Sequence, residues 1–174
     1  MADQTTDSGR APKMTPCPGC HALVADVEGA THPYIGASAG CWAIFGQILA
    51  KEYGEYYYPA VHRVTVDAYA AQHPGTPSRR SIQSVAIHLL SLHLILERGF
   101  PSPQATEAIR KALEHAERFV WLDPPPSLGT ITVLDVRKAR DIAEHERLVW
   151  QWARSVWAAW SSHHETIRQW AVAR

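Results

Sequence analysis

The chain has 174 residues with 17 acidic and 17 basic side chains, a balance that gives no electrostatic argument for binding nucleic acid or an anionic membrane surface. Apolar residues at 46% and charged residues at 20% describe an ordinary globular chain, long enough to bury a core. No uninterrupted apolar run approaches the roughly 18 residues of a membrane-spanning helix. The polar opening also lacks the apolar centre of a secretory signal.

In chain order, residues 1–14 read as a polar tail and residues 15–174 as one helical, metal-binding domain. Residues 15–37 are rich in Pro, Gly and small side chains and predict a loop or short hairpin. Ser38 stands where it can cap a helix starting near Ala39, with Trp42, Phe45, Ile48 and Leu49 on one side. Gly54 and Pro59 frame the run Tyr56-Tyr57-Tyr58. A second helix is predicted over 60–72, stopping before Pro74-Gly75. A third, over 78–98, is apolar nearly all round, as a central buried helix is. A fourth is predicted over 102–120. The stiff connector Asp123-Pro124-Pro125-Pro126 follows. Then come a brief extended stretch at 131–134, a helix over 135–141 with Asp135 as its cap, and a long last helix over 144–173. The seven tryptophans, four of them between Trp150 and Trp160, read mainly as core. His164 lies four residues after Trp160 and seven after Trp157, which predicts imidazole on indole. The fold class is all-α, a single-domain helical bundle with a loop-rich, zinc-knuckle-like N-terminal appendix.

The three cysteines carry the clearest chemistry. Cys17-Pro18-Gly19-Cys20 sets two thiols on one turn, and Cys41 falls in the first turn of the first helix, where the helix end favours a thiolate. Three thiolates and one imidazole complete a tetrahedral Cys₃His zinc site. Of the ten histidines, His32 is the first choice for fourth ligand because it sits in the rigid loop Thr31-His32-Pro33. His73, at the end of the second helix, is the second choice. Two rival readings stay open: Cys41 as a small buried hydrophobe, and Cys-Pro-Gly-Cys as a redox pair. An odd cysteine count argues against a disulfide framework. Reduced, metal-holding cysteines suit a cytoplasmic home.

Two helices carry polar stripes. On the second, His62, Thr65, Tyr69 and Gln72 share a face. His73 lies on that side too, but roughly 16 Å along the axis from His62, so one metal cannot take both. Asp67, four residues after Arg63, can pair with it locally. On the third, Ser81, Ser84, His88 and Ser91 recur at helical spacing in otherwise apolar company. If the two helices face each other, a polar seam forms between them, a usual place for a bundle's functional site. The plainer reading is a solvent-facing serine stripe, with His62 and His73 bonded to backbone carbonyls.

Together, Cys17-Pro18-Gly19-Cys20, Thr31-His32-Pro33-Tyr34, Gly40-Cys41-Trp42, the run from His62 to Tyr69, Gln72-His73-Pro74-Gly75, the run from Ser81 to Leu89, and the ending Trp152 to Trp157 with His163-His164 resemble a family of uncharacterised, mostly bacterial proteins, named as a domain of unknown function. The resemblance covers nearly the whole chain from about Pro16. It implies that the cysteines, His32, Asp67, Tyr69, His73 and His88 belong to one design, and it supplies no substrate.

The expectation is therefore a small zinc protein with a structural site at Cys17, Cys20, Cys41 and His32. A second, histidine-containing pocket would hold a small-molecule ligand or another metal. His88 with Asp67 or His73 would do acid–base or metal-assisted work there, and His62, Tyr69 and Ser84 would contact the ligand. The alternative is an interaction module with purely structural zinc, whose Trp-rich helix packs a protein partner. A thiol redox protein is a third reading.

Overall fold

A computed structural model describes residues 13–172. The tail expected over 1–14 lies outside the described residues except for Lys13 and Met14. Met14 already belongs to a strand: β1 (Met14–Pro16) and β2 (Leu23–Ala25) pair antiparallel, with Thr15 opposite Val24. The expected hairpin is present.

Seven α-helices follow among the described residues. They are α1 (Ala39–Tyr53), α2 (His62–Gln72), α3 (Arg79–Leu96), α4 (Ser102–Leu113), α5 (Val133–Val136), α6 (Ile142–Ala159) and α7 (His164–Ala171). The fold is all-α apart from the small ribbon. The Ser38 hydroxyl caps α1 by accepting the Cys41 N–H at 3.3 Å, and Ser78 caps α3 by accepting the Ser81 N–H at 3.1 Å. α2 stops where it must. His73 precedes Pro74, so it leaves the helical region, with φ −131° and ψ 63°.

Helix α3 packs against α2, α4, α6 and α7. That surround explains its nearly continuous apolar surface, in which Leu89, Leu90 and Leu92 are fully buried. Trp152 and Trp160 are buried in the same core. Each indole N–H finds a partner: Trp152 donates to Gln72 Oε1 at 2.9 Å, and Trp160 to the Ala71 carbonyl at 3.1 Å. Gln72 then donates to the Leu128 and Ile131 carbonyls at 3.1 and 2.8 Å. One buried amide thus ties α2, α6 and the chain beyond the proline run together, with its polar atoms satisfied. Of the Trp-rich helix, Trp152, Trp157 and Trp160 are buried in the protein's own core. Trp150 is only half buried, and Arg154 stands 5.7 Å over its ring.

Three boundaries differ from the sequence reading. α4 ends at Leu113, and after a 3-10 turn at Ala116–Arg118 Phe119 turns inward onto Trp170, ring centroids 5.3 Å apart. α5 is a short helix in place of the extended stretch. Thr132 is its cap and Asp135 the reciprocal partner three positions on, accepting the Thr132 N–H at 2.9 Å. The long last helix breaks at Trp160. His164 donates from Nε2 to the Trp157 carbonyl at 2.9 Å, which closes α6, and its ring stacks on the Trp157 indole at 3.8 Å and 9°. The predicted imidazole–indole stack is therefore also the helix stop.

No described helix is long and apolar enough to cross a membrane.

Candidate functional site

The cysteines meet where β1, β2, α1 and the end of α2 converge. The turn after β1 is closed by the Cys17 N–H donating to the Ala22 carbonyl at 2.9 Å and the His21 N–H to the Cys17 carbonyl at 3.0 Å. His21 takes a left-handed φ of 59° to do so. Gly19 sits so tightly over α2 that a β-carbon there would lie 2.5 Å from the His73 ring and 2.9 Å from the Gln72 carbonyl. Only glycine lets the knuckle reach that helix.

One ligand atom from each of Cys17, Cys20, Cys41 and His73 falls within 4.8 Å of the others, and all four residues are buried. The Cys20 and Cys41 sulfurs are 3.8 Å apart, and Cys41 Sγ is 3.4 Å from His73 Nε2. In a tetrahedral zinc site, metal–sulfur bonds of about 2.3 Å and metal–nitrogen bonds of about 2.0–2.1 Å put sulfurs about 3.8 Å apart and sulfur and nitrogen about 3.5 Å apart. The spacing matches that geometry, and the three thiols are free of disulfides.

The neighbours complete the fit. His73 donates from Nδ1 to the Tyr69 carbonyl at 2.7 Å, an assignment read from the hydrogen-bond network. It fixes the tautomer that leaves Nε2 as a ligand. The Ser38 N–H approaches Cys17 Sγ at 3.5 Å, and the Tyr69 hydroxyl approaches Cys41 Sγ at 3.8 Å. Hydrogen bonds from Cys20 and Cys41 hold the Cys17 thiol far below its ordinary value. The Cys17 sulfur in turn pushes Cys20 up to about 12 and, with Cys20 and burial, raises Cys41 much further. Among three buried, adjoining sulfurs each thiolate disfavours the next, and a shared cation would relieve that repulsion.

His32, the first choice for fourth ligand, is not in this group. Its ring stands edge-on to Tyr34 at 4.2 Å and 5.8 Å from Trp42. The loop carrying it is pinned past the thiols by the Gly36 N–H, which donates to the His73 carbonyl at 3.0 Å. The His32 side chain is thereby left on the Trp42 side of α1. The second choice, His73, is the residue the fold brings to the three thiols.

A second arrangement lies between α2 and α3. Asp67 is fully buried. Its Oδ1 accepts His88 Nδ1 at 2.8 Å. Its Oδ2 accepts Arg63 Nε at 2.9 Å and the Ser91 hydroxyl. The polar seam exists, but its α2 partner is Asp67 rather than the His62 stripe. With Nδ1 engaged, His88 has Nε2 left to offer, and the residue lines two adjoining cavities. The inner one, about 190 Å³, is walled by Trp42, Phe45, Tyr69 and His32. The outer one, about 420 Å³, is walled by Arg80 and Gln83. Tyr34, Ser84 and His88 belong to both. Phe45 and Tyr69 are stacked at 3.8 Å and 8°. Ser84 shares the wall with His88, yet no hydrogen bond joins them among the described residues. The pair therefore lacks the contact that activates a serine nucleophile.

His62 is elsewhere. It donates from Nδ1 to Glu52 Oε2 at 2.7 Å, while Thr65 and His145 donate to Glu52 Oε1 at 2.6 and 2.7 Å. Glu52 is fully buried. Burial alone would push its carboxyl up, but the bonds from His145, Thr65 and His62 outweigh burial and hold it below the ordinary value. Neither Glu52 nor His145 was singled out by sequence. The available signal was a charged residue at a buried position of α1, four residues after Ile48.

The chain belongs to the family of unknown function DUF5946, whose sequence profile matches residues 15–161. No curated protein and no solved structure matches it.

Proposed function

We propose that this chain is a zinc protein in which Cys17, Cys20, Cys41 and His73 form a closed structural site, and that its working part is the neighbouring cleft headed by His88 and Asp67. The observation that carries the zinc reading is the buried Cys₃His group itself, with sulfur and nitrogen spacings that suit a tetrahedral ion. When bound, zinc supplies charge neutralisation and cross-linking: it ties the ribbon to α1 and α2. All four ligands are protein side chains, as in structural sites. Thiols kept reduced for a metal support a reducing compartment such as the cytoplasm.

In the cleft, Asp67 holds His88 Nδ1, fixes the ring's orientation and leaves Nε2 free to take or give a proton at a bound small molecule. The cleft's aromatic wall excludes water from one side of that ligand. A second reading, a zinc-tied module that acts by docking a protein, draws on the exposed side chains of Tyr53, Tyr57 and Tyr58, the last two at left-handed φ of 49° and 61°.

The test is metal content of the purified protein, metal by metal, for wild type, Cys41→Ser, His73→Ala, His32→Ala and His88→Ala. One zinc per chain is expected, lost in the first two variants and kept in the last two. Zinc kept in His73→Ala, or an absence of stoichiometric metal in wild type, refutes the site and returns the thiols to the redox reading. Loss of stability alone in His88→Ala, with no change in ligand binding, favours the docking module.

A further inference from the structure

Resting on the reading of the His88 cleft as the working site, we infer that its ligand is a small, flat, single-ring organic anion whose ring enters the inner cavity and whose carboxylate faces Arg80 and His88. Size argues first. A dry cavity of about 150 Å³ accommodates benzene, and the inner cavity is about 190 Å³. It holds one ring and not two. The walls argue next: Trp42 and the mutually stacked Phe45 and Tyr69 line the cavity, an aromatic lining against which a planar π-system packs.

Polar groups then fix the ligand's other end. His32 Nδ1 is buried with no hydrogen-bond partner among the described residues. A buried ring nitrogen without a partner calls for one, and a ring substituent such as a hydroxyl would supply it. At the mouth, the negative charge of Asp67 is already answered by Arg63 and His88. Arg80 forms no ion pair among the described residues and lines the outer cavity beside His88. The one charge left to meet a ligand is positive. A carboxylate suits it, because a guanidinium matches that group in two-pronged geometry.

The experiment titrates zinc-loaded protein with benzoate and with benzamide, its neutral counterpart, at low salt. Binding is followed by calorimetry and by the NMR signals of His88 and Trp42. Benzoate is expected to bind about two- to fivefold more tightly than benzamide, the scale of an exposed charge contact. Arg80→Gln should erase that difference, and Trp42→Ala should weaken both probes. Benzamide binding as tightly as benzoate, with His88 still perturbed, overturns the ligand class and leaves the cleft standing. If neither probe moves the His88 or Trp42 signals at millimolar concentration, the cleft reading falls along with the inference.

Discussion

Replacing Glu52 by leucine tests whether the buried Glu52–His62–His145–Thr65 network holds the fold together. Wild-type Glu52 accepts hydrogen bonds from all three partners at 2.6–2.7 Å with no exposure. Leucine accepts none. Thr65 keeps an alternative, because its hydroxyl also donates to the Val61 carbonyl at 3.3 Å. His62 retains only its Nε2 contact with Tyr53 at 3.3 Å, and His145 loses the acceptor at Nε2. Two buried donors left unpaired cost about 1–3 kcal/mol each, in line with the roughly 3–5 kcal/mol lost on breaking a buried charged pair. The expected destabilisation is about 4 kcal/mol, which lowers Tm by roughly 8–16 °C for a chain of this size. Circular dichroism during thermal unfolding at pH 7 reads it. Glu52→Gln, which keeps one acceptor oxygen, should cost less. The sign with pH is fixed by the lowered Glu52 pKa. The carboxylate's contribution is present above its unfolded value, about 4.3, and is lost as pH falls through the folded value. The gap between wild type and Glu52→Leu should therefore narrow as pH falls below the unfolded value and close only beneath the lower folded one. A Tm change under about 2 °C at pH 7, or a gap that widens in acid, refutes the reasoning.

Three further outcomes are expected. Gly19→Ala should drive a methyl into the His73 ring and the Gln72 carbonyl and reduce zinc affinity at least about tenfold, measured by competition with a chromogenic chelator. Gln72→Leu should leave the Trp152 indole N–H and the Leu128 and Ile131 carbonyls without their partner. It should destabilise by about 2–4 kcal/mol in urea unfolding. Glu97, held at about 2 chiefly by the Arg168 guanidinium, should titrate nearer the ordinary carboxylate value of about 4.3 in Arg168→Ala, as followed by NMR.

What the sequence disclosed follows from which interactions are local. The cap at Ser38, the stop at Pro74 and the greasy surround of α3 depend on neighbours in the chain, and each was legible. The break at Trp160 depends on His164 folding back onto the Trp157 carbonyl, and a period of 3.6 residues does not register such a contact. At the candidate metal site, the three cysteines could be named because cysteines are few and their spacing is chemical. The fourth member depended on which of two loops, one carrying His32 and the other ending α2, passes over the thiols. That choice is made by Gly19 and Gly36 packing against the end of α2 and the Pro74-Gly75 turn, a tertiary contact. The sequence offered the His88 stripe as one side of a seam, and in the structure His88 and Ser91 both meet Asp67 on α2. Asp67 and His73 were both named as companions for His88, and the structure brings Asp67 to it, at 2.8 Å from Nδ1, while His73 lies with the thiols.

The metal group and the cleft are not independent, because α2 serves both. Between Asp67 and His73, helix α2 also carries Tyr69, whose ring lines the inner cavity, whose hydroxyl meets Cys41 and whose carbonyl holds His73. On α1, Cys41 is followed at once by Trp42 and then by Phe45, the facing wall. A metal that clamps Cys41 to His73 would therefore reinforce the Phe45–Tyr69 stack that joins the two walls. Removing it should loosen them while the remainder of the bundle, held by Trp152, Trp160 and the α3 leucines, stays folded. After chelation the Trp42 indole and His88 signals should shift or broaden. Those of Trp157 and Trp170, which lie with Glu97 and α7, should stay in place. If both sets move together, the ion holds the whole fold. If neither moves, the walls of the cleft owe nothing to the metal, and the coupling through Tyr69 is refuted.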